Sequence, residues 1–472
     1  MSSASIVALS LGSLLGLAVI VALIRTIATP RPVPKAPSLP EAALEEAAGV
    51  ENSLSALVKR PTVSYYDRSA EDDAAFEALK RDLVGLFPKV HKAMKREEIG
   101  DRALLYTWKG RDHKLAPAIM CAHFDVVPAD DAELWKHPPF SGDIDESCVW
   151  GRGTQDIKLM LVSALHAAER LVGEGFVPER TILFAFGGDA SRKVKASFLL
   201  DEGGPISEGM LAFADRPLGL IGVAEKGYMD VAVEAKGAGG HASMPPRRTA
   251  SGRIARAVVA IESAPPRAKL GRTVRSFLDR ISSYSPFAIR LLFRNLWLFG
   301  PLVKTVFSLS PTTNAMVRTT YAPTMLKGSP KENVLADSAN AIVNVRILPG
   351  QDSKTVLSRL ERLAKGQGAT VRIAHPEALV EPLPESPVDH EGYRAIESAL
   401  AASFPEAACV PFLFSAGTDT KHYRGVVGAM YRFTPIRQTS AQLEGVHGRD
   451  ERVEVANLRR CEIFYKRLLG SL

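Results

Sequence analysis

Cys121-Ala122-His123-Phe124-Asp125-Val126-Val127-Pro128 and, further on, Gly151-Arg152-Gly153-Thr154-Gln155-Asp156-Ile157-Lys158 decide how this chain is read. Each stretch is an apolar run that closes on a short polar tip carrying a potential metal ligand. Around them, residues 103–108, 116–121 and 181–186 read as strands. Residues 39–59, 72–87 and 157–174 carry apolar side chains at three-four spacing and read as helices. Strands alternating with helices predict an α/β domain with a mainly parallel sheet. Ligands on such a sheet sit in loops beyond the carboxyl ends of strands, where His123 and Asp156 both fall. An imidazole and a carboxylate are ligand types of hydrolytic zinc sites. Asp125, two residues past His123, is placed to orient that ring.

The bulk numbers narrow the class. At 472 residues, with 46% apolar and 24% charged, the chain has length for two domains or for one domain with an insertion. The net charge of +7 is spread along the sequence without basic runs interleaved with aromatics, which predicts no nucleic-acid partner. The 4 cysteines contain no C-x-x-C pair and form neither a disulfide framework nor a thiolate zinc site.

Residues 5–24 carry no charge, and about twenty such residues reach across a bilayer of ~30 Å. Arg25, Arg31 and Lys35 follow, within a Pro-rich stretch at 29–37 that reads as an extended spacer. The expectation is an N-terminal anchor, with the membrane as a partner and a single-pass localisation. A cleaved signal followed by secretion is the alternative, against which stand the missing basic n-region and the length of the apolar run.

The texture changes near Met229. Residues 229–235 read as a strand, then comes a Gly-rich turn and Gly240-His241-Ala242-Ser243-Met244-Pro245-Pro246. A helix at 254–261 and a strand at 341–347 follow, and Pro349-Gly350 closes the insertion. The expected division is 1–38 for anchor and linker, 39–230 and 351–472 for the two parts of one domain, and 231–350 for an inserted α+β domain. Residues 276–309 are unusually apolar and aromatic, and read either as core helices or as an apolar wall for a greasy substrate.

In order, the chain holds His123-Phe-Asp125, Gly151-Arg-Gly-x-x-Asp156-x-Lys158, Asp201-Glu-Gly-Gly204, Gly240-His241-Ala-Ser and Gly445-Val-His447-Gly448. Together these resemble the two-zinc aminoacylase/carboxypeptidase metallopeptidases, with closest likeness to Gly-X carboxypeptidases and N-fatty-acyl-amino-acid hydrolases. The resemblance implies a substrate that is an N-acyl amino acid or small peptide with a free carboxylate. It implies His123 and Asp201 on one zinc, Asp156 bridging two zincs, and His447 on the second. Asp125 would support His123, and His241 would steady the developing oxyanion from a lid. Asn333 and Arg346 would receive the substrate carboxylate, and Gly417 would lie in a substrate loop. The inserted domain would be a lid that also makes a homodimer.

The pattern breaks once. The resemblance places two adjacent glutamates after the 181–186 strand, one as general base and one as a ligand of the second zinc. Ala190 and Ser191 stand there, and no glutamate occurs between Arg180 and Glu202. Residues 181–186 and 196–200 both read as buried strands, too close in sequence for a parallel crossover, which needs a dozen or more residues. Either a helix is missing or the two strands are antiparallel. The expectation is one tightly bound zinc and turnover severely reduced or absent: a damaged hydrolase, or an inactive relative that binds ligands or an active partner.

Overall fold

A computed structural model describes residues 3–29, 39–65, 67–187, 194–210 and 213–472. Its larger sheet has eight strands, in the order Lys95–Ile99, Ala103–Trp108, Ile182–Phe186, Ala118–Ala122, Ala196–Ser207, Val427–Gln438, Leu218–Glu225, Ala408–Phe414. The centre is parallel. Ala118–Ala122 runs parallel to both Ile182–Phe186 and Ala196–Ser207, and the latter runs parallel to Val427–Gln438. The first two strands form an antiparallel ribbon on one edge. The expected α/β fold with a largely parallel sheet is therefore present. The two strands flanking the short connection are parallel to a common neighbour, not an antiparallel pair. That connection runs from Gly187 to Lys195, and residues 188–193, which include Ala190 and Ser191, lie outside the described residues.

Helices cover one face of this sheet. Lys158–Gly173 follows directly on Asp156 and buries Leu159, Leu161, Leu165 and Ala168 in the main core. Val455–Leu469 and Val50–Val58 pack beside it, and their apolar residues join the same cluster. Asp73–Leu86 begins where the Asp72 carboxylate accepts the N–H of Ala74, which satisfies one free helix donor. Its Phe76, Leu79 and Leu83, spaced by three and four, face inward.

A second sheet of four strands has the order Thr320–Lys327, Ser338–Ile347, Gly227–Lys236, Thr370–Ile373. Ala250–Glu262 and Ser353–Lys365 lie on it. The strand Thr370–Ile373 and the helix Ser353–Lys365 carry this layer beyond residue 350, where the sequence suggested an end. Pairing decides this: Val371 sits opposite Val233, a partner more than a hundred residues earlier. Helix Arg272–Ser282 packs against the edge strand Ala408–Phe414, Phe287–Arg294 packs on that helix and Leu296–Phe307 on the next, and Phe277, Leu278, Ile281, Phe293, Val303 and Phe307 from 276–309 enter a core. Trp297, Leu302 and Val306 remain exposed.

The N-terminal expectation is corrected. Among the described residues no helix is long and apolar enough to cross a membrane. That overturns the anchor, the membrane as a partner and the single-pass localisation. The helix Ser3–Ile27 mixes Ser10, Gly12, Ser13 and Gly16 among its apolar residues. Its last turns lie against Phe287–Arg294. Asn295 there donates to Ala22 O and Thr26 Oγ1, each at 3.1 Å, and both residues are buried. The Pro-rich stretch from residue 30 to 38 lies outside the described residues.

Glu225-Lys226-Gly227 joins the two sheets. Glu225 is buried and accepts from Arg432 Nε at 2.6 Å, Thr418 Oγ1 at 2.8 Å and Thr420 Oγ1 at 3.0 Å. Glu225→Ala leaves the Arg432 guanidinium buried without a counter-charge, which costs about 3–5 kcal/mol. A urea titration checks this, and a loss below ~1 kcal/mol would show that water replaces the carboxylate.

Lys226 is equally buried. Its Nζ donates to Ala315 O at 3.1 Å, Arg318 O at 2.9 Å and Thr320 Oγ1 at 3.2 Å. Burial, with Arg346 nearby, lowers its pKa to about 7. The unfolded chain holds this proton up to about pH 10.4. Between those values the unfolded state binds more protons, so this group's penalty is full below pH 7 and is relieved as pH rises towards 10. Lys226→Met is expected to flatten the rise of unfolding free energy over pH 7–10 by up to one proton, ~1.4 kcal/mol per pH unit. Parallel wild-type and variant profiles in that window would refute it.

Candidate metal centre

The loops that carry His123, Asp156 and His447 meet the strand Ala196–Ser207 here. His123 follows the strand Ala118–Ala122, and Asp156 ends the loop before the helix Lys158–Gly173. The Asp156 loop needs its glycines. Gly151 and Gly153 hold φ of 135° and 89°, and a Cβ would meet Pro139 O at 2.8 Å in the first case and Val126 Cγ1 at 2.7 Å in the second.

The Asp156 carboxylate stands between two imidazoles. Oδ1 lies 3.2 Å from His123 Nε2, and Oδ2 accepts from His447 Nε2 at 2.6 Å. Glu202 Oε1 is 3.5 Å from His123 Nε2. His123, Asp156 and Glu202 offer ligand atoms all within 4.8 Å of one another, the one such group among the described residues. Ligands at 2.0–2.1 Å from a tetrahedral ion stand about 3.4 Å apart, so the two His123 separations match the edges of a zinc site. One nitrogen and two carboxylates are a donor set that zinc accepts.

The charges are arranged for a cation. Burial alone would lower the His123 pKa, but hydrogen bonds to Asp156 and Glu202 hold it well above the usual imidazole value. Burial likewise opposes the Asp156 charge, yet His123 and His447 keep that carboxyl well below the usual range. A metal here takes the place of protons.

Glu202 was not anticipated; Asp201 was. On the strand Ala196–Ser207 side chains alternate, so Phe198, Leu200 and Glu202 share one face while Leu199 and Asp201 share the other. Leu200 lies in the helix-covered core and Leu199 in the cluster with Cys121 and Tyr423. Asp201 is buried on that second face, where its Oδ1 accepts the N–H of Glu202 at 2.9 Å and its Oδ2 has no hydrogen-bond partner. Burial, then the charges of Glu202 and Asp419, raise its pKa well above the carboxylate range. The sequence signal for Glu202 was the adjacent acidic pair itself, which does not say which member faces His123.

The Peptidase family M20/M25/M40 profile matches residues 119–471. The chain belongs to the M20 peptidase family. Among curated relatives, probable carboxypeptidase S-like 2 of Dictyostelium discoideum is 35% identical, over 87% of this chain and 82% of its own length. The N-fatty-acyl-amino acid synthase/hydrolase PM20D1 of Mus musculus is 34% identical, over 88% of this chain and 86% of its own. The M20 family metallo-carboxypeptidase Sso-CP2 of Sulfolobus solfataricus superposes with a TM-score of 0.65, covering 89% of this chain and 98% of that one. At 16% identity that likeness is one of fold.

M20 enzymes use two zinc sites, and a single intact triad is found here among the described residues. Around it the other expected residues fall as follows. His123 Nδ1 donates to the backbone carbonyl of Asp125 at 2.9 Å, with the Asp125 carboxylate farther off at 3.6 Å. His447 is more than half exposed. His241 and Asn333 are exposed on a short ribbon, where His241 is register partner of Val334 and Asn333 O accepts the N–H of Ala242. His241 Nδ1 bonds Ser243 Oγ at 2.7 Å. Arg346 lies over the Tyr228 ring and donates to Asn344 Oδ1 at 3.3 Å, on the second sheet. Gly417 is exposed, while the neighbouring Thr418 and Thr420 serve the buried Glu225. Beside His123 and Asp125 opens a cavity of about 490 Å³, reaching Arg68, Arg102, Gly187 and Asp419.

Proposed function

We propose that this M20 hydrolase acts on the amide bond of N-acyl amino acids or small peptides with a free carboxylate, from a site with one tightly held zinc and strongly reduced turnover. The carrying observation is the Asp156 carboxylate shared between His123 and His447 with Glu202 alongside, in a chain whose residues 181–201 contain no glutamate. A zinc held by His123, Asp156 and Glu202 would supply Lewis-acid polarisation of the amide carbonyl. The chain's own residues do the rest. Arg346 offers a guanidinium fork matched to a carboxylate, and Tyr228 and Asn344 steady it. His241 and Asn333 share one exposed ribbon, and a homodimer through the second sheet would carry them to the neighbouring site. The inserted lid, by this reading, begins near residue 231. The relatives whose names include N-fatty-acyl-amino acid hydrolase support the substrate class.

A second reading has a specific observation in its favour. Ala190 can neither accept a proton nor hold a metal, and Ser191 is a poor zinc ligand, which suits an inactive relative that binds ligands or pairs with an active partner. One assay separates the two. Zinc-loaded full chain is offered an N-acyl amino acid and a dipeptide, beside a relative that keeps both glutamates. The proposal expects measurable cleavage about 10²–10⁴-fold slower than that relative, the contribution of a general base. Rates equal to the uncatalysed reaction leave the inactive reading; rates equal to the relative overturn both.

A further inference from the structure

Glu451 touches no expected ligand side chain, yet it joins the loops that carry three of them. It is fully buried. Its Oε1 accepts the backbone N–H of Gly153 at 3.0 Å, Gln155 at 2.8 Å and Asp156 at 3.2 Å. Its Oε2 accepts from Arg152 Nη1 at 2.7 Å. Arg152, also buried, extends Nη2 to Pro128 O at 3.5 Å and His447 O at 3.4 Å. Pro128 closes the His123 loop. One carboxylate and one guanidinium thus connect the His123, Asp156 and His447 loops. The backbones agree: Gly151 N donates to Glu451 O at 2.8 Å, and Arg452–Glu454 pairs antiparallel with Cys148–Trp150.

We propose that Glu451 is a positioning residue: it fixes the loop that presents Asp156, ties it to the His447 loop, and so sets the site's metal affinity without contacting the metal. Three N–H groups converging on one oxygen leave the Asp156 backbone a single orientation. The side chain then meets His123 and His447 without reorganising when a cation arrives. Groups supporting metal ligands in this way change affinity by about 10–100-fold when removed. The inference rests on the metal reading of His123, Asp156 and Glu202.

The test uses the full chain and zinc itself, titrated against a chromophoric chelator. A double variant, Arg152→Met with Glu451→Met, removes both charges and keeps the volume, an exchange that buried ion pairs often tolerate. Zinc affinity of the folded variant is expected to fall about 10–100-fold, and urea unfolding in chelator falls as well because the three N–H groups lose their acceptor. Glu451→Gln keeps an oxygen for the three N–H groups and should recover part of the loss, which a residue that only adds stability would not do. A folded double variant with wild-type affinity overturns the proposal. Should the double variant not fold, Glu451→Asp decides: its carboxylate is withdrawn by one methylene, the same loss is expected, and unchanged affinity overturns. Amide exchange of Gly153, Gln155 and Asp156 in the metal-free chain is read in parallel. If the wild-type chain binds no zinc, the metal reading falls by itself. Exchange then decides Glu451: faster in the variants, it still fixes the loop; unchanged, it does not.

Discussion

Asp156→Ala is expected to leave the chain without bound metal. In the wild type each oxygen of this carboxylate faces a different imidazole, at 3.2 Å for His123 and 2.6 Å for His447. Removing it leaves His123 and Glu202 as a two-ligand remnant and leaves His447 without its partner. A zinc site needs three protein ligands even when it is open to substrate. Affinity should therefore fall by more than the roughly 10–100-fold that a supporting group costs. Elemental analysis after dialysis is expected to give about one zinc per wild-type chain and well under a tenth of that for the variant. Asp156 lies outside the hydrophobic clusters, so the variant is expected to keep its fold, which far-UV circular dichroism checks. Full zinc retention by the folded variant would show that the metal lies elsewhere.

The second large effect is a gain. Replacing residues 188–193 by a longer segment that opens with two adjacent glutamates and continues as a helix is expected to raise amide hydrolysis about 10²–10⁴-fold. The strands on either side, Ile182–Phe186 and Ala196–Ser207, both run parallel to Ala118–Ala122. Only the residues from Gly187 to Lys195 connect them. A parallel crossover ordinarily takes a dozen residues or more, usually as a helix packed on the sheet. The insertion supplies that helix, a proton acceptor and a further ligand. Zinc content should rise from about one towards two per chain. The control is the same insertion with glutamines, which restores the helix without the carboxylates. Equal rates for the two insertions would show that the glutamates are not what the chain lacks.

Much of this was legible without coordinates. The three-four spacing of apolar residues over 72–87 places a helix found at Asp73–Leu86. The apolar runs before His123 and before Gly187 become adjacent parallel strands in register, with Cys121 opposite Ala185. A stretch buried on both faces must be apolar throughout, and that leaves a mark in the text. The ligand loops were legible as the polar tips on which such apolar runs close, at His123 and Asp156.

Other features left no such mark. Asp201 and Glu202 are chemically similar neighbours, and a strand sends them to opposite faces. Which one meets His123 depends on register with Ala118–Ala122, a pairing between distant segments. The edge of the second sheet depends on Thr370–Ile373 docking far back in the chain. The N-terminal apolar run read as an anchor because hydropathy is local, whereas its last turns meet Asn295, more than 260 residues away. Glu451 carried no signal, for three of its partners are backbone N–H groups, which look alike in any sequence, and the fourth, Arg152, lies 299 residues away. Periodicity and the apolar runs with their polar tips by themselves determined the α/β scaffold and the metal-site loops, because each is written in nearby residues; the missing glutamate pair was legible only through the likeness to the family. Tertiary structure alone decided which acidic residue completes the site and what holds its loops together, because both depend on which distant backbones lie side by side.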